Sequence, residues 1–190
     1  MTLHLSLLRH GATELAGGFR GSIDDALTAE GWAQMRNAVV DAGPWDVIVS
    51  SPLQRCAAFA RELAAERGVP LVLEADLREL HFGVWEGQTA LALMVDQEAE
   101  LGLFWNDPYA FTPPAGEPVL DFAQRVLAAI ARLLAEHRGQ RVLVISHGGV
   151  MRLLLAQARG LPREQLLQVE VPHASLHRLS VQAPCLLTEV

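Results

Sequence analysis

The sequence predicts an α/β fold, an open sheet covered by helices on both faces, in one domain spanning residues 1–190. Three observations carry this reading. Short apolar runs alternate with longer segments of helical spacing. Ser, Thr, Pro and Gly punctuate the joins. A chain of 190 residues that is 51% hydrophobic is large and apolar enough for one sizeable core, and needs no second domain.

LHLSLL (3–8) has the apolar character of a short buried strand, and TAEGWAQMRNAVVDAG (28–43) has helical spacing with Thr28 at its cap. WDVIVS (45–50) is the next strand. SPLQRCAAFARELAAERG (51–68) reads as a helix with Ser51 at the cap, Pro52 at the first position and Gly68 beyond the end. VPLVLEA (69–75) adds a third strand, and DLRELHFGVWEGQT (76–89) is a loop rich in acid, base and aromatic side chains. TALALMVDQEAELGLFW (89–105) is expected to be helical, and the prolines of 106–118 interrupt it. VLDFAQRVLAAIARLLAEHRG (119–139) is a long amphipathic helix, RVLVIS (141–146) a strand and HGGVMRLLLAQARG (147–160) a helix. SLHRLSV (175–181) and CLLTEV (185–190) close the sheet, and no repeat, low-complexity tract or linker interrupts the chain.

Composition narrows the function classes. A formal charge of −7, from 15 Lys+Arg against 22 Asp+Glu, argues against a nucleic-acid polymer or an anionic membrane as partner and leaves room for a small cationic pocket. Cys56 and Cys185 form neither a CxxC nor a metal-ligand pattern, which favours a reducing compartment. The N-terminal MTLHLSLLRHG lacks the features of a signal peptide, so a soluble cytoplasmic protein is expected. Oligomeric state stays open, a homodimer included.

The informative residues stand where elements meet. Arg9 and His10 follow the first strand, Arg55 lies early in the second helix, and His147 follows the fourth strand; such ends can converge at one rim of a parallel or mixed sheet. Guanidinium groups make bidentate contacts to phosphate, and a neutral histidine can attack phosphorus, so either His10 or His147 is a candidate nucleophile. A carboxyl such as Glu79 could protonate a leaving alkoxide and then activate water.

LLRHGAT, SPLQRC, LRELHFGVWEG and SHGGVMR together resemble the histidine phosphatase, or phosphoglycerate mutase-like, superfamily over about residues 3–154. The resemblance implies a three-layer α/β/α sandwich with a mostly parallel mixed sheet. It also implies a phosphohistidine on His10, with Arg9, Arg55 and His147 around the phosphoryl oxygens and Glu79 as acid and then base. Thr13, Gly148, Arg20 and His81 become substrate-binding candidates, and neither metal nor cofactor is expected. Among superfamily members the chain looks most like the α-ribazole phosphatases and their broad-specificity relatives, which would make α-ribazole 5'-phosphate a candidate among small phosphorylated metabolites. A sugar or nucleotide phosphatase, a phosphoglycerate mutase and a catalytically weak phosphate-binding module are the alternatives. One position departs from the pattern: Ala16 stands where many members carry asparagine.

Other residues are read more plainly. Phe19, Trp85 and Trp105 could line a ring-binding pocket, but each fits core packing. Glu86 and Gly87 shape a turn, Arg78 could equally steer an anion or solubilise its loop, Arg152 is expected to point outward into a salt bridge, and Cys56 to sit on an apolar helix face.

Overall fold

The computed structural model describes residues 2–15 and 17–190. Six strands, β1 (Leu3–Arg9), β2 (Val47–Ser50), β3 (Leu71–Leu73), β4 (Arg141–Ser146), β5 (Leu176–Gln182) and β6 (Leu186–Glu189), make one sheet in the order β3-β2-β4-β1-β5-β6. The first four in that order pair parallel; β5 joins β1, and β6 joins β5, antiparallel. The sheet is therefore mixed and mostly parallel, as the sequence predicts.

The two faces of the sheet follow the two-residue period of the strands. Leu3, Leu5 and Leu7 of β1, with Val142 and Val144 of β4, pack under α5 (Val119–Glu136) and α6 (Gly148–Ala158), whose buried faces include Phe122, Val126, Ile130 and Leu154. Leu8, Ile48, Leu143 and Ile145 face the other way, onto Met35 and Val39 of α1 (Ala29–Val39) and Phe59 and Leu63 of α2 (Gln54–Arg67). This is the three-layer sandwich expected. No helix among the described residues is long and apolar enough to cross a membrane.

Three element boundaries differ from the sequence reading. Helix α2 begins at Gln54, after Leu53, not at the Ser51–Pro52 pair. Ser51 is buried at the strand end, where its backbone N–H donates to Ile145 O at 3.0 Å and its hydroxyl is engaged by His147. The helix expected over 89–105 is two, α3 (Ala90–Asp96) and α4 (Glu98–Asn106), broken at Gln97. There the Gln97 side chain accepts the indole N–H of buried Trp85 at 2.8 Å, and the backbone leaves helical geometry at φ −139°, ψ 39°. The third strand stops at Leu73, short of the expected 75, and 3-10 turns at Ala75–Leu77 and Gly83–Trp85 punctuate the loop that follows.

The sheet order sets the site. β4 lies between β1 and β2, with Arg9 opposite Ser146 and Ser50 opposite Ile145. His10, His147 and Ser51, each one residue beyond its strand, thus leave the sheet side by side at one rim. The turn after His10 is fixed by close backbone contact with α1. A Cβ on Gly11 would fall 2.2 Å from Gly31 O, and one on Gly31 2.0 Å from Ala12 O, so only two glycines allow the approach.

Candidate active site

A cavity of about 490 Å³ opens at this rim, lined by Arg9, His10, Arg20, Glu79 and Arg152 among polar residues and by Phe19, Phe82, Phe104 and Trp105 among aromatic ones. His10 is 6% exposed. Its Nδ1 stands 2.8 Å from Gly11 O; a carbonyl can only accept, so the proton is on Nδ1 and Nε2 keeps its lone pair. Burial, reinforced by the nearby Arg55 and Arg9 charges, pushes the His10 pKa down to about 3. The imidazole is consequently neutral, the form a nucleophile needs.

His147 is fully buried, its ring 5.4 Å from that of His10. Arg55 Nε donates to its Nδ1 at 3.2 Å, so its Nε2–H donates to Ser51 Oγ at 2.7 Å. Burial, with Arg55 and His10 beside it, holds its pKa well below the ordinary histidine value. Cys56 Sγ lies 3.7 Å from the same ring and donates to Ser146 O at 3.4 Å; burial pushes that thiol up and leaves it inert.

Arg55 is 1% exposed and its guanidinium is almost saturated by protein. Besides His147 it donates to Ile23 O at 2.5 Å, Asp25 Oδ1 at 3.3 Å and Gly21 O at 3.0 Å, which uses four of its five N–H groups. Asp25 bridges Arg55 to Arg20, whose Nη1 lies 3.1 Å from Asp25 Oδ2. Burial opposes charge on Asp25, but the Thr13 hydroxyl, Arg20 and Arg55 together hold its carboxyl below the ordinary range.

Glu79 follows the first 3-10 turn. Its carboxylate accepts from Gly149 N at the start of α6 at 3.0 Å and from Leu80 N at 3.0 Å. Arg125 fixes the strand of chain around it, donating to the carbonyls of Asp76, Arg78 and Glu79 at 2.7, 2.8 and 2.9 Å. Glu79 also borders a second, polar cavity of about 390 Å³ with Gly21, Ser22, Arg78, His81, Glu117 and Arg125.

The structure thus brings Arg9, His10, Arg20 and Glu79 into the cavity lining, with Gly148 beside Arg9 at the start of α6, while Arg55 and His147 are buried behind it, bonded to each other and with the His147 ring next to that of His10. Thr13 is buried and its hydroxyl accepts from Arg20, which places it behind the cavity wall. His81 lines the neighbouring cavity, 3.6 Å from Glu86, not the one that holds His10. Glu86 ties its turn to the Ser22 and Ile23 backbone at 2.7 and 3.0 Å. Ala16 lies outside the described residues.

Two readings change. Arg152 does not point outward: its Nε donates to Val169 O at 3.0 Å, which draws the guanidinium into the cavity. Phe19 and Trp105 line the cavity, whereas Trp85 is fully buried among Phe19, Phe104 and Phe111. Residues that sequence reasoning missed are Asp25, Ser51 as a partner of His147, Phe82, Phe104 and His173. The ring of His173 lies 5.6 Å from that of His10, and burial with Arg9 and Arg20 nearby lowers its pKa to about 4. Nothing in the pattern around these residues sets them apart; only Ser51, at a strand end before proline, carried any signal.

A neutral histidine, a carboxyl group that can cycle between acid and carboxylate, and a group of guanidiniums in one aromatic-walled cavity can bind a phosphomonoester, attack its phosphorus and protonate what leaves. The chain belongs to branch 1 of the histidine phosphatase superfamily, whose model matches residues 5–185. It is a phosphatase of that class. It is similar to the adenosylcobalamin/alpha-ribazole phosphatase of Escherichia coli, 33% identical over 89% of this chain and 85% of that protein. It is also similar to the glucosyl-3-phosphoglycerate phosphatase of Mycolicibacterium vanbaalenii, 34% identical over 83% of this chain and 75% of that one. Among solved structures, the alpha-ribazole phosphatase from Shigella flexneri superposes with a TM-score of 0.84 at 30% identity, over 98% of this chain and 94% of that chain.

Proposed function

We propose that this chain hydrolyses a small phosphomonoester through a phosphohistidine on His10, and that its substrate carries a planar ring on the leaving group, α-ribazole 5'-phosphate being the leading candidate. The observation that carries the chemistry is the His10 Nδ1–H bond to Gly11 O at 2.8 Å, which leaves Nε2 as a free lone pair in the cavity shared with Glu79 and Arg9. The aromatic wall of Phe19, Phe82, Phe104 and Trp105, together with the two alpha-ribazole phosphatase relatives, supports a ring-bearing substrate.

In the first step Nε2 forms a bond to phosphorus while the ester P–O bond breaks. Its electron pair goes to the leaving oxygen, which takes the proton that the Glu79 carboxyl acquires when the anionic phosphate binds beside it. Arg9 offsets the phosphoryl charge, Arg55 contributes its remaining N–H, and His147 shares its Nε2–H between Ser51 and a phosphoryl oxygen. The Gly11 carbonyl disperses the positive charge on the phosphorylated imidazole. In the second step the Glu79 carboxylate takes a proton from water, the water oxygen bonds to phosphorus, and the P–N bond breaks to return the pair to Nε2.

The test is phosphate release by metal-depleted wild type and His10→Ala on α-ribazole 5'-phosphate, 3-phosphoglycerate, phosphoserine and nucleoside monophosphates. A strong preference for α-ribazole 5'-phosphate that His10→Ala abolishes supports both parts of the proposal. Similar slow turnover of all substrates removes the case for that metabolite, and release that survives His10→Ala removes the nucleophile.

A further inference from the structure

Arg152 has no part in the steps above, yet it is built into the cavity with care. Val169 and Val171 are buried in the segment between the 3-10 turn at Arg163–Gln168 and β5, and each gives its carbonyl to one arginine. Arg152 Nε donates to Val169 O at 3.0 Å, and Arg9 Nη1 to Val171 O at 2.5 Å. The two guanidiniums consequently crowd the same side of Gly148, where an added Cβ would lie 3.0 Å from Arg152 Nη1 and 3.3 Å from Arg9 Nε.

Their charge is not matched locally. The ion pairs near the site take Arg20 and Arg55 to Asp25 and Arg125 to Glu117; among the described residues none involves Arg9 or Arg152. Arg9 Nε is buried without a hydrogen-bond partner among the described residues. Burial, with the neighbouring Arg152 charge acting in the same direction and Glu79 against it, lowers the Arg9 pKa to about 10, still cationic at neutral pH. Two adjacent cations at a cavity where Glu79 is the single acid among the described residues form a site for an anion of more than one charge.

We propose that Arg152 is a phosphoryl-binding residue, paired with Arg9 as a two-guanidinium clamp on the phosphoryl group that His10 receives. It supplies what Arg55 cannot, because four of that guanidinium's five N–H groups are already committed to protein. The inference rests on the phosphatase reading of the cavity and extends it to the arginine that ends SHGGVMR, which that reading left without a role.

The test is calorimetric titration of the full chain with inorganic phosphate, and inhibition by orthovanadate, for wild type, Arg152→Gln and Arg152→Lys, with thermal melts of each. Arg152→Gln is expected to weaken both ligands about tenfold to a hundredfold, the range of a lost charge-assisted contact. Its kcat/KM should fall alike for phenyl phosphate and phosphoserine. Arg152→Lys keeps the charge but not the fork and should lie between, which preserves the test if the glutamine variant fails to fold. Phosphate affinity within about twofold of wild type in folded variants overturns the clamp. So does a loss confined to phosphoserine, because Arg152 would then read the leaving group's carboxylate. Phosphate titration needs no turnover, so a wild type that binds phosphate but hydrolyses nothing refutes the phosphatase reading, whereas unchanged phosphate affinity in the variants refutes the clamp alone.

Discussion

Substituting Gly149 by alanine should remove the acid from the reaction while leaving every charged residue in place. An alanine Cβ at 149 would stand 2.2 Å from Glu79 Oε1 and 3.1 Å from Glu79 Cδ, and the nearest atoms it meets all belong to that carboxylate. An ordinary carbon–oxygen contact is roughly 1 Å longer, so the carboxylate must swing away by about that distance, and its bond from Gly149 N, now 3.0 Å, is lost. A displacement of about 1 Å at a reacting group can cost about 10²-fold, and loss of a general acid about 10²- to 10⁴-fold, or roughly 3 to 5 kcal/mol of barrier. Stability should change far less. Alanine gains roughly 0.8 to 1.0 kcal/mol over glycine in a helix, against about 1 to 3 kcal/mol for the lost hydrogen bond. The assay compares kcat/KM on phosphoserine, whose leaving alkoxide needs a proton, with p-nitrophenyl phosphate, whose leaving group departs as a stable anion. Gly149→Ala should lose at least about a hundredfold on the first and less than about tenfold on the second. A burst of p-nitrophenolate should survive even as steady turnover slows, because the water step still needs Glu79. Equal losses of kcat/KM on both substrates, or none, in a variant that melts near wild type would refute the assignment of Glu79 as the proton donor.

Other consequences are as direct. Ser51→Ala leaves the buried His147 Nε2–H without its acceptor and should cost about 1 to 3 kcal/mol in urea unfolding, with a drop in kcat; an unchanged midpoint and rate would show the contact idle. Trp105, 45% exposed at the cavity wall, should matter for ring-bearing substrates only. Trp105→Ala is predicted to raise KM for nucleoside monophosphates about three- to tenfold and for phosphoserine less than twofold, and equal shifts would contradict a stacking role. The histidines set an acid limit to stability. Folding depresses the pKa of His10 to about 3 and that of His147 well below its ordinary value, so their contribution is complete above about pH 6.5 and is lost as pH falls below it. Unfolding free energy should drop as pH falls below about 6.5, by roughly 1.4 kcal/mol per pH unit for each histidine that stays neutral in the fold. Urea titrations at pH 7, 6 and 5 check this, and a flat response, or the same slope in His10→Asn, would count against neutral buried histidines.

Much of this site is legible in the amino-acid sequence. The strand ends put Arg9, His10 and His147 at element junctions on the sheet rim, and the resemblance of LLRHGAT and SHGGVMR to the superfamily motifs is what singles them out. The position of Arg55 near the start of α2 follows from the helical spacing after Ser51. What periodicity cannot carry is the partner on the other side of a contact. Ser51 read as a helix cap because serine before proline does begin helices, yet His147, adjacent in the sheet and distant in sequence, claims its hydroxyl. Arg152 read as outward because its spacing along α6 gives no hint of Val169 O, a carbonyl 17 residues further on that turns it inward. Asp25 has no pattern at all: its meaning comes from Arg20 and Arg55 meeting on it. The break at Gln97 is likewise tertiary, because the indole of Trp85 takes the side-chain oxygen there.

The central claim is that His10 carries the phosphoryl group, and the most direct measurement is to trap it. Wild type mixed with ³²P-labelled substrate and quenched in alkali within the first turnover should retain base-stable, acid-labile label. Peptide mapping should place that label on the segment containing His10, and it should vanish in His10→Ala. Label on His147, or phosphate release with no acid-labile intermediate at any quench time, would contradict the account.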